Sequence, residues 1–247
     1  MSNIQRTHDD RYLGYPIEYG FTGVHKRLGV ARRYIDWRGA RVLDAGCGNG
    51  AYTVEIAREA ASVVGSDIEV NRLLELARHA RSLSHVSVAY APCEQLPFAD
   101  ARFDVAFCIE TLEHVNDEAL TLRELTRVLR PGGSLVLFVP NKRYVFETHG
   151  IRFRGKYLKH SYLYPFVSWL PRALHARLAI ARIYTSGDMR RLLKSWHNVR
   201  IDWMMPPLDF LNAPRLRQPL RRVISRIERG PLRRFGVSIA VIAQKPS

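Results

Sequence analysis

The 247-residue sequence predicts an α/β fold: a seven-stranded, mostly parallel sheet with helices on both faces and an insertion after the fifth strand. Three observations predict it. Short, nearly continuous apolar runs alternate with segments of helical periodicity, the rhythm of β-α-β units whose strands are covered on both sides. A glycine-rich turn links the first strand to the helix after it. The alternation then stops after Pro140, where a stretch dense in aromatic side chains begins.

Taken in order, residues 1–40 read as an N-terminal helical cap, because Val24, Leu28, Ala31 and Ile35 lie near 3.6-residue spacing in a helix from Thr22 to Trp37. Residues 41–140 form the core. Its strands are Arg41 to Ala45, Ser62 to Ser66, His85 to Tyr90, Phe103 to Ile109 and Ser134 to Val139. Helices Ala51 to Ala60, Val70 to Arg81 and Asn116 to Arg130 connect them, the last stopped by Pro131-Gly132-Gly133. Residues 141–184 are an aromatic insertion carrying Tyr144, Phe146, Phe153, Tyr157, Tyr162, Tyr164, Phe166 and Trp169. Residues 185–247 finish the sheet, with a helix from Thr185 to Trp196, strands Asn198 to Met204 and Val237 to Gln244, and a basic insertion at about 206–234 between them.

Composition narrows the setting. A hydrophobic content of 47% with 25% charged residues suits a protein that buries a full core. No apolar run is long enough for a membrane span, and Met1 to Asp10 is polar rather than signal-like. Cys47, Cys93 and Cys108 make neither a disulfide framework nor a zinc pattern, so a reducing cytoplasm and no bound metal are expected. The net charge of +15 is unevenly placed. Lys142 to Arg234 holds 21 basic and 5 acidic residues, whereas the rest of the chain holds 17 and 18. A positive charge so concentrated points to an anionic surface or substrate.

The chemical signal lies in Val42-Leu43-Asp44-Ala45-Gly46-Cys47-Gly48-Asn49-Gly50. Glycines directly after a strand permit a tight turn and a close ligand approach, and the next helix aims its first amides at that ligand. Dinucleotide sites space the last two glycines as G-x-x-G, whereas here all three alternate with single residues. Asp67 follows Gly50 by 17 positions at the end of the second strand. It could receive both hydroxyls of a ribose, cap the following helix, or do both. Further along stand Pro92-Cys93-Glu94-Gln95-Leu96-Pro97-Phe98, then Phe103 to Val115 with Glu110-Thr111-Leu112-Glu113-His114, then Leu125 to Gly133.

In this order and spacing the segments resemble the class I S-adenosylmethionine (SAM) dependent methyltransferases of the Rossmann-like type 11 domain, including quinone, sugar and lipid O-methyltransferases. The resemblance covers Arg41 to Pro140 and resumes at Thr185 to Trp196 and in the last strand. It implies SAM as cofactor and S-adenosylhomocysteine as product, in a site formed by Asp44, Gly46, Cys47, Gly48, Gly50, Asp67 and Ile68. It also implies that Cys93 and Glu94 line the adenine and that Ile109 borders the methionyl group. One position departs from the pattern: Pro92 stands where relatives usually carry an acid for the adenine amine.

Methyl transfer to oxygen gains from alignment and from a general base near neutral pKa. His114 follows the fourth strand and His149 the fifth, both at the carboxyl edge where open α/β sheets bind ligands. Glu110 and Glu113 could orient a histidine or sit as solvated helix-start acids. The acceptor expected is a small or lipid-like hydroxylated molecule, an anionic one among the candidates, under the lid of residues 141–184. The basic stretches Tyr164 to Leu174 and Leu216 to Arg234 either lie on an anionic inner-membrane face or pack on the domain with arginines in water. Two rival readings are an RNA methyltransferase and a SAM-binding protein without turnover. The first lacks an Asn/Asp-Pro-Pro-aromatic end to the fourth strand and an accessible cysteine nucleophile. Nucleic acid is therefore the less favoured partner.

Overall fold

The structure, a computed structural model, describes residues 22–153, 156–158, 164–206 and 214–247. The cap and core run α1 (Thr22–Ala31), β1 (Arg41–Ala45), α2 (Ala51–Ala57), β2 (Ser62–Asp67), α3 (Val70–His79), β3 (Val86–Tyr90), β4 (Phe103–Ile109), α4 (Glu118–Val128) and β5 (Leu129–Pro140). The region after Pro140 holds a hairpin of β6 (Ile151–Phe153) and β7 (Lys156–Leu158), a 3₁₀ turn at Val167–Trp169, and α5 (Arg172–Leu178). Then come α6 (Ser186–Leu192), β8 (His197–Met204), α7 (Pro214–Arg229), a 3₁₀ turn at Pro231–Phe235, and β9 (Ser238–Gln244).

Seven strands pair in the order β3-β2-β1-β4-β5-β9-β8, with β9 antiparallel to both neighbours and the other six parallel. All seven expected strands are present. Their side chains alternate between two cores, as a sheet covered on both faces requires. Along β4, Phe103, Ala106 and Cys108 join Leu122, Leu125 and Leu137 on one side. Val105, Phe107 and Ile109 join Val24, Leu28, Trp37 and Ile56 on the other. Each fully buried side chain of this size is worth roughly 1.5–3 kcal/mol in transfer free energy.

Element ends differ from the expectations for local reasons. Helix α1 stops at Ala31 because the chain must turn Trp37 into the core, where it meets Phe107 edge-on at 5.4 Å. Asp36 accepts from the Arg38 amide at 3.0 Å, and Gly39 takes a φ of +66° to complete that turn. Pro131-Gly132-Gly133 lies inside β5, as an irregularity between the pairs Phe103–Leu129 and Val105–Ser134. Helix α6 begins as read: the Thr185 hydroxyl accepts from the Asp188 amide, and Asp188 accepts in return from the Thr185 amide at 2.8 Å. The basic segment forms α7, tied to α1 by Lys26–Glu228 at 2.6 Å. Among the described residues no helix is long and apolar enough to cross a membrane. Tyr162 falls outside the described residues.

This topology sets the site. Strand order reverses between β1 and β4, so the loops after these two strands diverge and leave a crevice at their carboxyl ends.

Candidate active site

The loop after β1 is a left-handed glycine turn, with φ of +73° at Gly46, +54° at Gly48 and +89° at Gly50. Side chains rarely adopt these angles. The amides of Gly46 and Cys47 both donate to the Ser66 carbonyl, at 2.8 and 2.9 Å, which pins the turn to the end of β2. A Cβ at Gly46 would collide with Thr111, whereas one at Gly48 would meet nothing within 4 Å. Space is therefore left beside Gly48, as a cofactor lying on the backbone would need.

Asp67 faces the same turn. Its Oδ2 accepts from the Gly48 amide at 2.8 Å and its Oδ1 from the Glu69 amide at 2.9 Å. The carboxylate holds the turn and starts α3, and its remaining lone pairs are available to hydroxyls. Ile68 beside it is exposed, an apolar face next to an acid. Asp44 is buried, with its Oδ2 accepting from the Thr53 hydroxyl at 2.6 Å. Burial, reinforced by the charge of Asp67 and opposed by the Thr53 bond, pushes its carboxyl up to about 7.

Of the residues expected along the adenine, Cys93 points into the core, and burial pushes its thiol up. Glu94 Oε1 accepts from the Asn116 amide at 2.7 Å and so anchors the approach to α4. Any contact with a base would then use backbone groups here. Ile109 is buried on the α1 side of the sheet. Cys47 and Cys108 are buried too, with thiols raised well above their ordinary range by burial.

The loop after β4 carries the titratable groups. Thr111 donates its hydroxyl to the Gly46 carbonyl at 3.2 Å, which sets this loop against the glycine turn. Glu110 takes a φ of +50° and receives Arg27 Nη2 at 2.8 Å and the Ser238 hydroxyl at 2.6 Å. Burial alone would raise its carboxyl, but the charges of Arg27 and His149 hold it below the ordinary value. Arg27 also donates to the Tyr52 hydroxyl at 3.2 Å. Composition does not reveal this arginine. Its position among Val24, Leu28 and Ala31 does, since a charge on the buried stripe of a helix needs a partner.

Glu113 is not a solvated helix-start acid. It is buried, and neither carboxylate oxygen has a hydrogen-bond partner among the described residues. Burial and the nearby Glu110 charge raise its carboxyl well above the usual range, which favours the protonated form. His149 Nε2 lies 3.5 Å from Glu113 Oε1, and His114 Nε2 lies 4.0 Å from it. The two rings meet edge to face at 5.0 Å. The structure thus brings together both histidines singled out in the sequence. Burial lowers the His149 imidazole below its ordinary value, against the opposing charges of Glu110 and Glu147. The donor atoms of Glu113, His114 and His149 fall within 4.8 Å of one another, a spacing that also suits a divalent cation.

Two further buried residues escaped the sequence reading. Glu147 Oε2 meets His175 Nε2 at 2.7 Å, and Glu147 Oε1 accepts from the His149 amide at 3.1 Å. His175 sits on α5, 28 residues from Glu147, and no local pattern connects them. A cavity of about 180 Å³ opens between Glu113-His114-Val115 and the chain from Ala176 to Arg182.

The chain is similar to known methyltransferases. Residues 43–137 match the family described as "Methyltransferase domain". The chain is 31% identical over 226 residues to the ubiquinone biosynthesis O-methyltransferase of Hahella chejuensis, covering 83% of this chain and 93% of that protein. It is 40% identical over 103 residues to the 27-O-demethylrifamycin SV methyltransferase of Amycolatopsis mediterranei, across 40% of this chain and 38% of that one. A methyltransferase solved in complex with the Trm112 activator of Haloferax volcanii superposes with a TM-score of 0.60 at 18% identity, over 90% of this chain and 89% of that one.

Proposed function

Because the chain belongs to the class I SAM-dependent methyltransferases and is an O-methyltransferase, we propose that it methylates a ring hydroxyl of an amphiphilic acceptor, with His149 as general base. The observation that carries the assignment of the base is the approach of His149 Nε2 to the buried Glu113, 3.5 Å away, on a loop that touches the glycine turn. The acceptor class rests on the relative named for ubiquinone biosynthesis together with the concentration of basic and aromatic residues after Pro140.

The residues that would hold SAM are the backbone of Gly46, Cys47 and Gly48, with Asp67 toward the ribose hydroxyls, Ile68 beside the base, and Asp44, Gly50 and Ile109 supporting the turn from within. The open space at Gly48 fits such a ligand. When bound, SAM supplies the electrophilic methyl group. The protein's own part is alignment and proton management. Burial lowers the pKa of the His149 imidazole and so favours the neutral form, the one that can accept the hydroxyl proton. Burial and the Glu110 charge raise the Glu113 carboxyl, which lessens the negative charge it sets beside the imidazole. His114, packed on the His149 ring, is the alternative base.

Residues 141–184 serve as the lid over the acceptor, and the walls of the cavity at Ala176, Ala179 and Ile180 come from it. Phe166, Trp169 and Leu174 on this segment and Val223, Leu232 and Phe235 around α7 are exposed beside arginines. That combination supports peripheral contact with anionic lipid at a cytoplasmic membrane face, where an amphiphilic acceptor would be met. The test is methyl-labelled SAM with a catechol acceptor and identification of a methyl ether. His149→Ala is expected to lower kcat roughly 10²–10⁴-fold with SAM affinity intact, and added imidazole should restore part of it. Near-native kcat in His149→Ala but not in His114→Ala would move the role to His114, and near-native values in both would leave alignment alone.

A further inference from the structure

The geometry points to Glu147 as a positioning residue: its buried carboxylate locks helix α5 of the lid to the backbone of His149, and so sets the imidazole against Glu113 only when the lid is seated. This rests on the reading of His149 as the base. The carboxylate is spent on two partners from separate elements. Oε1 receives the His149 amide at 3.1 Å, and Oε2 pairs with His175 Nε2 at 2.7 Å on α5. The Glu147 side chain has no solvent exposure and that of His175 only 4%. A carboxylate withdrawn from water so completely is retained where both oxygens are bonded, and losing either partner leaves it uncompensated.

The surrounding contacts make the lock directional. Thr148 Oγ1 sits 3.0 Å from His149 Nδ1, which leaves Nε2 to face Glu113. A backbone bridge between Ile151 and Ala179 joins the same loop to the end of α5, next to the cavity wall. Movement of α5 away from the sheet would withdraw His175 from Glu147, and the His149 amide would lose its anchored acceptor. One buried carboxylate therefore links closure over the acceptor to the placement of the base. A base misplaced by about an ångström can lose as much as 10²-fold in rate.

The experiment uses the whole protein with labelled SAM and 3,4-dihydroxybenzoate as the probe acceptor. Glu147→Ala and His175→Ala should each lower kcat roughly 10–100-fold at unchanged SAM affinity, and the double variant should add no further loss, because the two act as one unit. Glu147→Gln keeps an acceptor for the His149 amide and should recover most of kcat. A crystal structure of Glu147→Ala should show the His149 ring displaced from Glu113. A staple with no role in placing the base would instead lower thermal stability, with kcat unchanged and the ring in place. That result would overturn the proposal. An unaffected kcat in His149→Ala would remove the base assignment alone, while the ring's position in Glu147→Ala would still decide whether Glu147 places it.

Discussion

Replacing Asp44 by Asn tests the electrostatics of the glycine turn directly. Asp44 is buried under the turn, and its carboxyl is pushed from an ordinary 3.8 up to about 7, chiefly by burial. The direction of the effect follows from proton counting. Between about pH 4 and 7 the folded protein keeps a proton that the unfolded chain has released, so stability falls as pH rises and the loss is complete above about 7. Roughly three pH units at 1.36 kcal/mol each make that loss about 4 kcal/mol. Asparagine is nearly isosteric, carries no charge, and can still accept the Thr53 hydroxyl that Asp44 accepts at 2.6 Å. Asp44→Asn should therefore be more stable than the natural protein at pH 8, by up to about 4 kcal/mol, which for a chain of this size is on the order of 10 °C in Tm. Near pH 4 the two should melt together. Calorimetric or circular-dichroism melts of both proteins across pH 4–8 supply the comparison. A Tm difference that stays constant with pH would show that Asp44 is not the group that titrates, and the account of the turn would fail.

Other perturbations address the cofactor, the histidine cluster and the surface. Asp67→Ala should weaken SAM binding by ~1–3 kcal/mol, since it removes an acceptor for ligand hydroxyls and for the Gly48 amide; calorimetry giving unchanged affinity in a folded variant would take Asp67 out of the site. Exhaustive chelation is expected to leave turnover unchanged. Loss of activity that a divalent cation restores would instead make Glu113, His114 and His149 a metal site. The protein should co-sediment with anionic vesicles over neutral ones, each basic residue at the surface contributing about 1 kcal/mol, and should release with salt. Binding to competing RNA in place of vesicles would redirect the basic surface to nucleic acid, and no binding to either at low salt would leave it facing a soluble anionic acceptor.

What the sequence determined by itself is the frame. Strand positions were legible because a buried parallel strand must be apolar on both faces, and residues such as Val105 and Ala106 are neighbours in sequence that serve opposite cores. The glycine turn was legible because left-handed backbone at 46, 48 and 50 and the close approach of Thr111 to Gly46 leave few alternatives to glycine. Both constraints are local, so they leave a local record. The hairpin of β6 and β7 was missed, because three-residue strands carry almost no periodic signal. The chemistry of the acids was decided only in three dimensions. Glu113 reads in sequence like any acid ahead of a helix, and its charge state depends on burial that the packing around it imposes. Arg27 finds Glu110 across 83 residues, and Glu147 finds His175 across 28. A carboxylate is ionised or neutral, and a histidine a base or a strut, according to which groups the fold sets within a few ångströms. Side-chain electrostatics depends on distance through space, and chain order does not encode that distance for residues brought together by sheet topology.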